Sequence, residues 1–339
     1  MRLFRLLCLS LVSFLVSFLA SFLASSLASA APLKVGLVLD KGGKDDRSFN
    51  SAAYAGATKA EKEFGIKLKY VEATDSNSIE ILHRSFAKKD FDLVIGVGFA
   101  QAEAVKKIAD QYPQKKFAIV DGEVTAANVK SLLFEEHEGA YLVGALAALQ
   151  SKTGKIGFIG GMDIPMIRRF EMGFRAGVEK VNPKAKLISN FIGITGEAWT
   201  NPPKGKELAL SQFGSGVDVI FAAAGASGSG VFDAAEERKK FAIGVDSNQN
   251  WMKPGFILTS MLKRVDVAVY DTIKELKDGQ FQGGIYRFGL KNKGVDYAID
   301  EHNQKLITPE MTKRVEELKS NIIAGKILVP DYYKKDAKK

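Results

Sequence analysis

Cysteine and histidine are nearly missing from this chain of 339 residues, which holds one of the first and three of the second. The lone cysteine, Cys8, precedes most of an apolar run and stands three positions after Arg5, whereas a lipobox cysteine would follow the run. Beyond Cys8 there is no thiol, which excludes a disulfide, a thiolate metal site and a cysteine nucleophile. His83 falls within a helical pattern, His137 stands beside Glu135, Glu136 and Glu138, and His302 lies in a polar loop. None has metal-ligand spacing from another, and EEHE is not H-E-x-x-H, so no metal is expected. A serine nucleophile would want a G-x-S-x-G elbow, which the Gly/Ser cluster GASGSG (residues 225–230) does not supply in register. No catalytic residue and no cofactor emerge, and the chain is read as a binder rather than an enzyme.

Long apolar runs are confined to the start. Arg2 and Arg5 precede an uncharged apolar stretch from Leu6, followed by Ala28-Ser29-Ala30, the pattern of a secretory signal peptide over residues 1–30 cleaved near Ala30. An uncleaved anchor is the alternative. The expectation is an exported, soluble periplasmic protein without a lipid anchor. Without Arg2 and Arg5 the 48 basic residues fall to 46 against 39 acidic ones, a net charge of +7 spread over scattered lysines and the tail YYKKDAKK (residues 332–339). Nucleic-acid binding calls for a concentrated basic face or a recognisable motif, and neither is present.

What remains alternates short apolar runs with helical stretches. KVGLVLD (34–40), KLKYVEA (67–73), FDLVIGVG (91–98) and KKFAIVDG (115–122) read as strands. Between them stand helical patterns at 50–65, stopped by Gly65, at 76–90 with Ser76 or Ser78 near the cap, and at 100–113, closed by Pro113. Such alternation points to βαβ units and a parallel sheet buried on both faces. The order then recurs. KIGFIGG (155–161) matches the first strand at an offset of 121, VDVIFAAAGA (217–226) the third at 126, and KKFAIGVD (239–246) the fourth at 124. Three matches at nearly one offset predict two similar lobes of about 120 residues.

Ligands of open parallel sheets bind beyond the carboxyl ends of the strands. In the first lobe those positions are residues 41–50, 99–101 and 121–122; in the second they are 162–169, 225–230 and 246–250. Polar groups, glycines and aromatics collect there, as in a cleft between two lobes. DKGGKDDRSFN (40–50) lacks G-x-x-x-x-G-K-[ST], and Asp45 and Asp46 suit a helix start but repel a phosphate. GASGSG is compatible with a phosphate turn or with a sharp turn of close backbone approach. Asp121 and Asp246 fit an acid–base pair or, more simply, carboxylates accepting from hydroxyls.

The run at residues 35–56 with its D-x-S-F-N motif, RRFEMGFRAGV (168–178), NPPKGKELA (201–209), AAAGASGSGVFDAA (222–235) and IGVDSNQ (243–249) resemble the basic membrane protein family. These are substrate-binding proteins of ABC importers, similar to purine nucleoside receptors. The resemblance covers essentially the whole chain after the leader. It implies a type I periplasmic binding protein fold, with two doubly wound parallel-sheet lobes joined by a three-stranded hinge. The expected boundaries are an N-terminal lobe at 31–135, a C-terminal lobe at 136–262, a return to the first lobe at 263–290, and a final segment at 291–339 crossing back and ending in the basic tail.

Carried over by position, the resemblance implies that Phe49 stacks on a nucleobase, unless it is a core residue of the first helix. Asp46 and Asn50 would flank it as hydrogen-bonding groups, with Asp46 alternatively a helix cap. Asp121 would belong to the base pocket, and Trp199, where the family often has phenylalanine, would stack from the second lobe. Gly225 would let backbone approach the sugar, while Asp246 and Lys263 would accept from and donate to ribose hydroxyls. Asn201 stands where the family commonly has aspartate. The implied partners are a nucleoside and the permease subunits of an ABC importer at the inner membrane, the receptor acting as a monomer. A receptor for another small polar solute such as a sugar, or an exported hydrolase, are the alternatives.

Overall fold

The computed structural model of the protein describes residues 31–334. The leader at 1–30 with Cys8, and residues 335–339 of the basic tail, lie outside the described residues. The first half runs β1 (Lys34–Leu39), α1 (Phe49–Phe64), β2 (Lys67–Glu72), α2 (Ser76–Lys88), β3 (Leu93–Val97), α3 (Ala102–Gln111), β4 (Lys116–Val120) and β5 (Val129–Phe134). The second runs α4 (Glu136–Gln150), β6 (Lys155–Met162), α5 (Pro165–Val181), β7 (Lys186–Gly193), α6 (Pro202–Gly214), β8 (Val219–Ala223), α7 (Gly228–Arg238), β9 (Phe241–Asp246) and β10 (Ile257–Lys263). After these come α8 (Val265–Lys277), β11 (Gly284–Phe288), β12 (Val295–Tyr297) and α9 (Pro309–Ile323).

Two six-stranded sheets result, ordered β2-β1-β3-β4-β5-β11 and β7-β6-β8-β9-β10-β12. The internal repeat of the sequence is visible here, because β6, β8 and β9 occupy the places in the second sheet that β1, β3 and β4 occupy in the first. Central strands such as β3 and β8 are buried along their whole length, whereas β2 at a sheet edge alternates and presents Lys67 and Lys69 to solvent. Lysines on an open edge discourage pairing with another chain. One strand departs from the all-parallel expectation: β12 pairs antiparallel to β10. It enters the second sheet from β11 of the first, through residues 289–294.

The chain passes between the sheets three times, after β5, after β10 and between β11 and β12. The fold is thus α/β of the type I periplasmic binding class. Helix caps follow local chemistry. Gly65 takes φ 67° to end α1, and α2 is capped by Asp75, whose carboxylate accepts from the Ser78 amide at 2.8 Å. Neither serine expected at that cap takes the capping position; Ser78 completes a capping box instead. Asn201 caps α6 by accepting from the Lys204 amide at 3.1 Å, a role asparagine and aspartate fill equally well.

Candidate functional site

The strand ends of both sheets converge on one cavity. Its walls include all eight residues singled out in the sequence: Asp46, Phe49, Asn50 and Asp121 from the first lobe, with Trp199, Gly225, Asp246 and Lys263 reached from the second sheet and its connections. Asp121 directly after β4 and Asp246 at the end of β9 stand at the carboxyl ends of corresponding strands of the repeat. Each holds the left-handed backbone at φ 64°. Non-glycine residues adopt that conformation at some cost, and such strain collects at functional sites.

The charged centre is Lys263, the last residue of β10, with its side chain 2% exposed. Its Nζ donates to Asp121 Oδ2 at 2.5 Å and lies 3.2 Å from Glu136 Oε1. The rings of Phe134, Phe49 and Phe170 surround the ammonium with centroids 5.1, 5.2 and 5.7 Å away. Burial opposes the ammonium, but Asp121, Glu136 and Asp246 together outweigh it and hold the pKa above the ordinary lysine value. Burial pushes the Asp121 carboxyl up to about 7 and that of Asp246 up to about 6, with Lys263 pulling both back down. Asp121 Oδ1 is buried without a hydrogen-bond partner among the described residues, which leaves it free to accept from a ligand donor.

The loop before α1 explains its own charge cluster. Asp46 accepts from the amides of Ser48, Asn50 and Ser51 at 2.8–2.9 Å and from Asn50 Nδ2 at 3.0 Å. Asn50 Oδ1 in turn accepts from the Asp40 amide at 2.9 Å. In this conformation Asp46 caps the helix, and with Asn50 it fixes the turn that presents Phe49 at the cavity. The Gly/Ser cluster of the second lobe is equally local. A Cβ on Gly230 would come within 1.9 Å of the Pro202 carbonyl, so glycine there lets α7 pack against α6. Ser227 donates to the Ala198 carbonyl and accepts from the Asn201 amide, both at 2.7 Å, and so fastens the turn that carries Trp199. Close helix approach, rather than a phosphate cradle, accounts for the cluster.

The lobes are closed over the cavity. Ser48 Oγ donates to Asp246 Oδ2 at 2.6 Å, Ser247 Oγ to the Ser48 carbonyl at 2.8 Å, and Gln249 Nε2 to the Arg47 carbonyl at 2.9 Å. Lys41 pairs with Glu197 across the lobes, and the Arg47 guanidinium lies 5.5 Å from the exposed Trp251 ring.

Sequence reasoning passed over several participants. Asp40, Met166, Ile167, Phe170 and Val245 also line the cavity, and Glu136 was seen only as a neighbour of His137. Asp40 could have been found, since it follows β1 as Asp121 follows β4. Arg169 is buried on α5, a charged residue four positions from Gly173 and eight from Gly177 on the face turned to α4. The histidines stand apart from the cavity. His83, within a helix as expected, is fully buried and bonded to Gln101 at 2.7 Å, with burial lowering its pKa to about 4.

The chain is similar to known proteins over most of its length. It is 36% identical over 321 residues to a Lactococcus lactis protein named ABC transporter nucleoside-binding protein BmpA, covering 88% of this chain and 89% of that one. It is 32% identical over 344 residues to an uncharacterized lipoprotein of Pyrococcus abyssi, covering 88% and 84%. A solved ABC transporter solute-binding protein of Aeropyrum pernix K1 superposes with a TM-score of 0.81 at 32% identity, covering 88% of this chain and 94% of that one. These likenesses correct the expectation of a freely diffusing periplasmic protein without a lipid anchor, because relatives across the same length are named lipoproteins. That expectation rested on where Cys8 sits in the leader, a processing signal that the folded domain does not constrain. No helix among the described residues is long and apolar enough to cross a membrane. Residues 33–332 match the family described as Bmp, ABC transporter substrate-binding protein PnrA-like, and the chain belongs to that family.

Proposed function

We propose that the cavity takes a nucleoside, that the lobes close on it, and that the closed receptor presents it to a membrane permease. Family membership already implies a permease partner and a small-molecule ligand; the base and sugar are the finer part. The observation that carries the reading is the combination of walls within one cavity. Phe49 and Trp199 supply aromatic rings from opposite lobes, and Asp246 and Lys263 supply a pure acceptor and a pure donor beside them. A base stacked on such rings gains roughly 1–3 kcal/mol, and vicinal hydroxyls of a ribose match the acceptor–donor pair. Asp121 Oδ1 serves as acceptor for a polar edge of the base, Asp46 and Asn50 hold Phe49 in place, and Gly225 admits backbone contact with the sugar. The name of the Lactococcus lactis relative supports the same ligand class.

Four carboxylates, Asp40, Asp46, Asp121 and Asp246, line the cavity against the one ammonium of Lys263. A phosphate would meet that excess of negative charge, so the ligand is the nucleoside and not the nucleotide. Residues 31–135 with 264–290, and 136–263 with the described part of 291–339, act as the two bodies of the hinge motion, the expected boundary at 263 moving by one because Lys263 closes β10 of the second sheet. The receptor acts as a monomer, the cavity being built from residues of one chain.

Calorimetric titration with purine and pyrimidine nucleosides, free bases, ribose, galactose and adenosine monophosphate tests this. The expected result is micromolar or tighter binding of at least one nucleoside and none of the nucleotide. A response to a sugar alone, with every nucleoside silent, would overturn it.

A further inference from the structure

We infer that Asp331, in the C-terminal segment, is a positioning residue for the ligand site, acting through Arg169 and Glu136 to set the Lys263 ammonium. This rests on the nucleoside reading above, in which Lys263 donates to a ribose hydroxyl.

After α9 the chain runs back across the crossovers between the lobes and buries Asp331, whose side chain is 5% exposed. Its carboxylate grips Arg169 in a fork, accepting from Nε at 2.8 Å and from Nη2 at 3.1 Å. The guanidinium also donates through Nη1 to Glu136 Oε2 at 2.7 Å and to the Phe134 carbonyl, and through Nη2 to Glu135. All five of its N–H donors are engaged, so its orientation is determined by partners on two distant segments, residues 134–136 and Asp331. Tyr333, two residues beyond Asp331, covers the guanidinium with its ring 5.0 Å away.

Glu136 is the hinge of the chain of charges. One oxygen is held by Arg169, and the other lies 3.2 Å from Lys263 Nζ. From the C-terminal segment to the cavity the charges alternate strictly: Asp331, Arg169, Glu136, Lys263, Asp121. Buried charges are tolerated when each has opposite neighbours in good geometry, and removal of one leaves its partner free to seek another. Loss of the Asp331 charge releases two of the five Arg169 donors. The guanidinium then turns toward Glu135 and Glu136 alone, and the oxygen facing Lys263 loses its fixed place. Lys263 has only Asp121 as its remaining close carboxylate and moves off the position from which it meets a hydroxyl.

The test is a coupling measurement on the full chain. The parent, Asp331→Asn, Asp331→Glu and Arg169→Lys are titrated by calorimetry with adenosine or inosine, whichever the parent binds more tightly, and with its 2′,3′-dideoxy analogue. Asp331→Asn is expected to weaken the ribonucleoside by about tenfold and the dideoxy analogue by less than about twofold. Arg169→Lys, which keeps a cation but not the fork, is expected to do the same, and Asp331→Glu to restore most of the loss. A purely structural role would weaken both ligands equally, and that result, or an unchanged preference for the hydroxyls in both Asp331→Asn and Arg169→Lys, would overturn the inference. A parent that binds no nucleoside overturns the nucleoside reading and this inference with it. A parent that prefers the ribonucleoside while the variants keep that preference overturns the inference alone.

Discussion

Replacing Asp246 by asparagine should make the protein more stable while it loses its ligand. Three carboxylates, Asp121, Glu136 and Asp246, surround the single ammonium of Lys263, so negative charge is buried in excess. Burial raises the Asp246 pKa from 3.8 to about 6, with Lys263 and the Ser48 hydroxyl offsetting part of the effect. A folded-state pKa above the unfolded one means that the native protein holds the proton more tightly. The favourable contribution is complete below the unfolded value of 3.8 and is lost as the pH rises through about 6. A shift of about two units at about 1.36 kcal/mol each amounts to roughly 3 kcal/mol of destabilisation at pH 8. Asparagine has nearly the same shape, can still accept from Ser48 Oγ, and does not titrate. The variant without ligand should therefore unfold roughly 3 kcal/mol harder at pH 8, about 5 °C or more in Tm, and within about 0.5 kcal/mol of the parent at pH 4. Scanning calorimetry of both proteins without ligand across pH 4–8 measures this. Titration of the same variant should show nucleoside affinity reduced tenfold or more, roughly the loss of one charge-assisted hydrogen bond. A variant no more stable than the parent at pH 8, or shifted equally at pH 4 and pH 8, would refute the buried-charge argument.

Three further outcomes rest on the packing. Trp199→Ala should weaken nucleoside binding by about 10- to 100-fold, the usual value of one stacking ring. Gly161→Ala should lower the same affinity from outside the cavity, because its Cβ would come 2.1 Å from the Trp199 ring and push it aside. Unchanged titration curves for both variants would remove Trp199 from the site. Gly177→Ala puts a Cβ 2.0 Å from the Tyr141 carbonyl at the contact between α4 and α5, and parting those helices should cost roughly 1–3 kcal/mol or more in urea unfolding. A loss below about 0.5 kcal/mol would show that the pair can repack.

Much of the architecture was legible because it depends on periodicity. Buried parallel strands such as LVIGV and VIFAA leave continuous apolar runs, and their recurrence at one offset exposed the second lobe before any contact was known. The cavity wall was legible where strand ends and local motifs carry it, as at Asp121, Asp246 and the D-x-S-F-N turn. Elsewhere the sequence left two readings open. The acidic turn at residues 45–46 and the Gly/Ser cluster both resemble chemistry, yet Asp46 closes a helix and Gly230 allows two helices to touch. A local sequence does not say whether an acid faces an amide or a ligand.

What the sequence by itself determined is the alternation of elements, the duplicated lobe and the strand-end positions of the cavity, because these follow from side-chain periods within one segment. Only the tertiary structure decided which charges meet. Asp121, Glu136, Lys263, Arg169 and Asp331 span more than two hundred positions, and each occurs in a stretch where a solvated charge would read the same. Their pairing is set by three crossovers and a returning C-terminal segment that bring distant ends into one dry space, where an unpaired charge is costly. The antiparallel β12 and the closed lobes belong to the same class, since each depends on how far a connection reaches and on what it meets there.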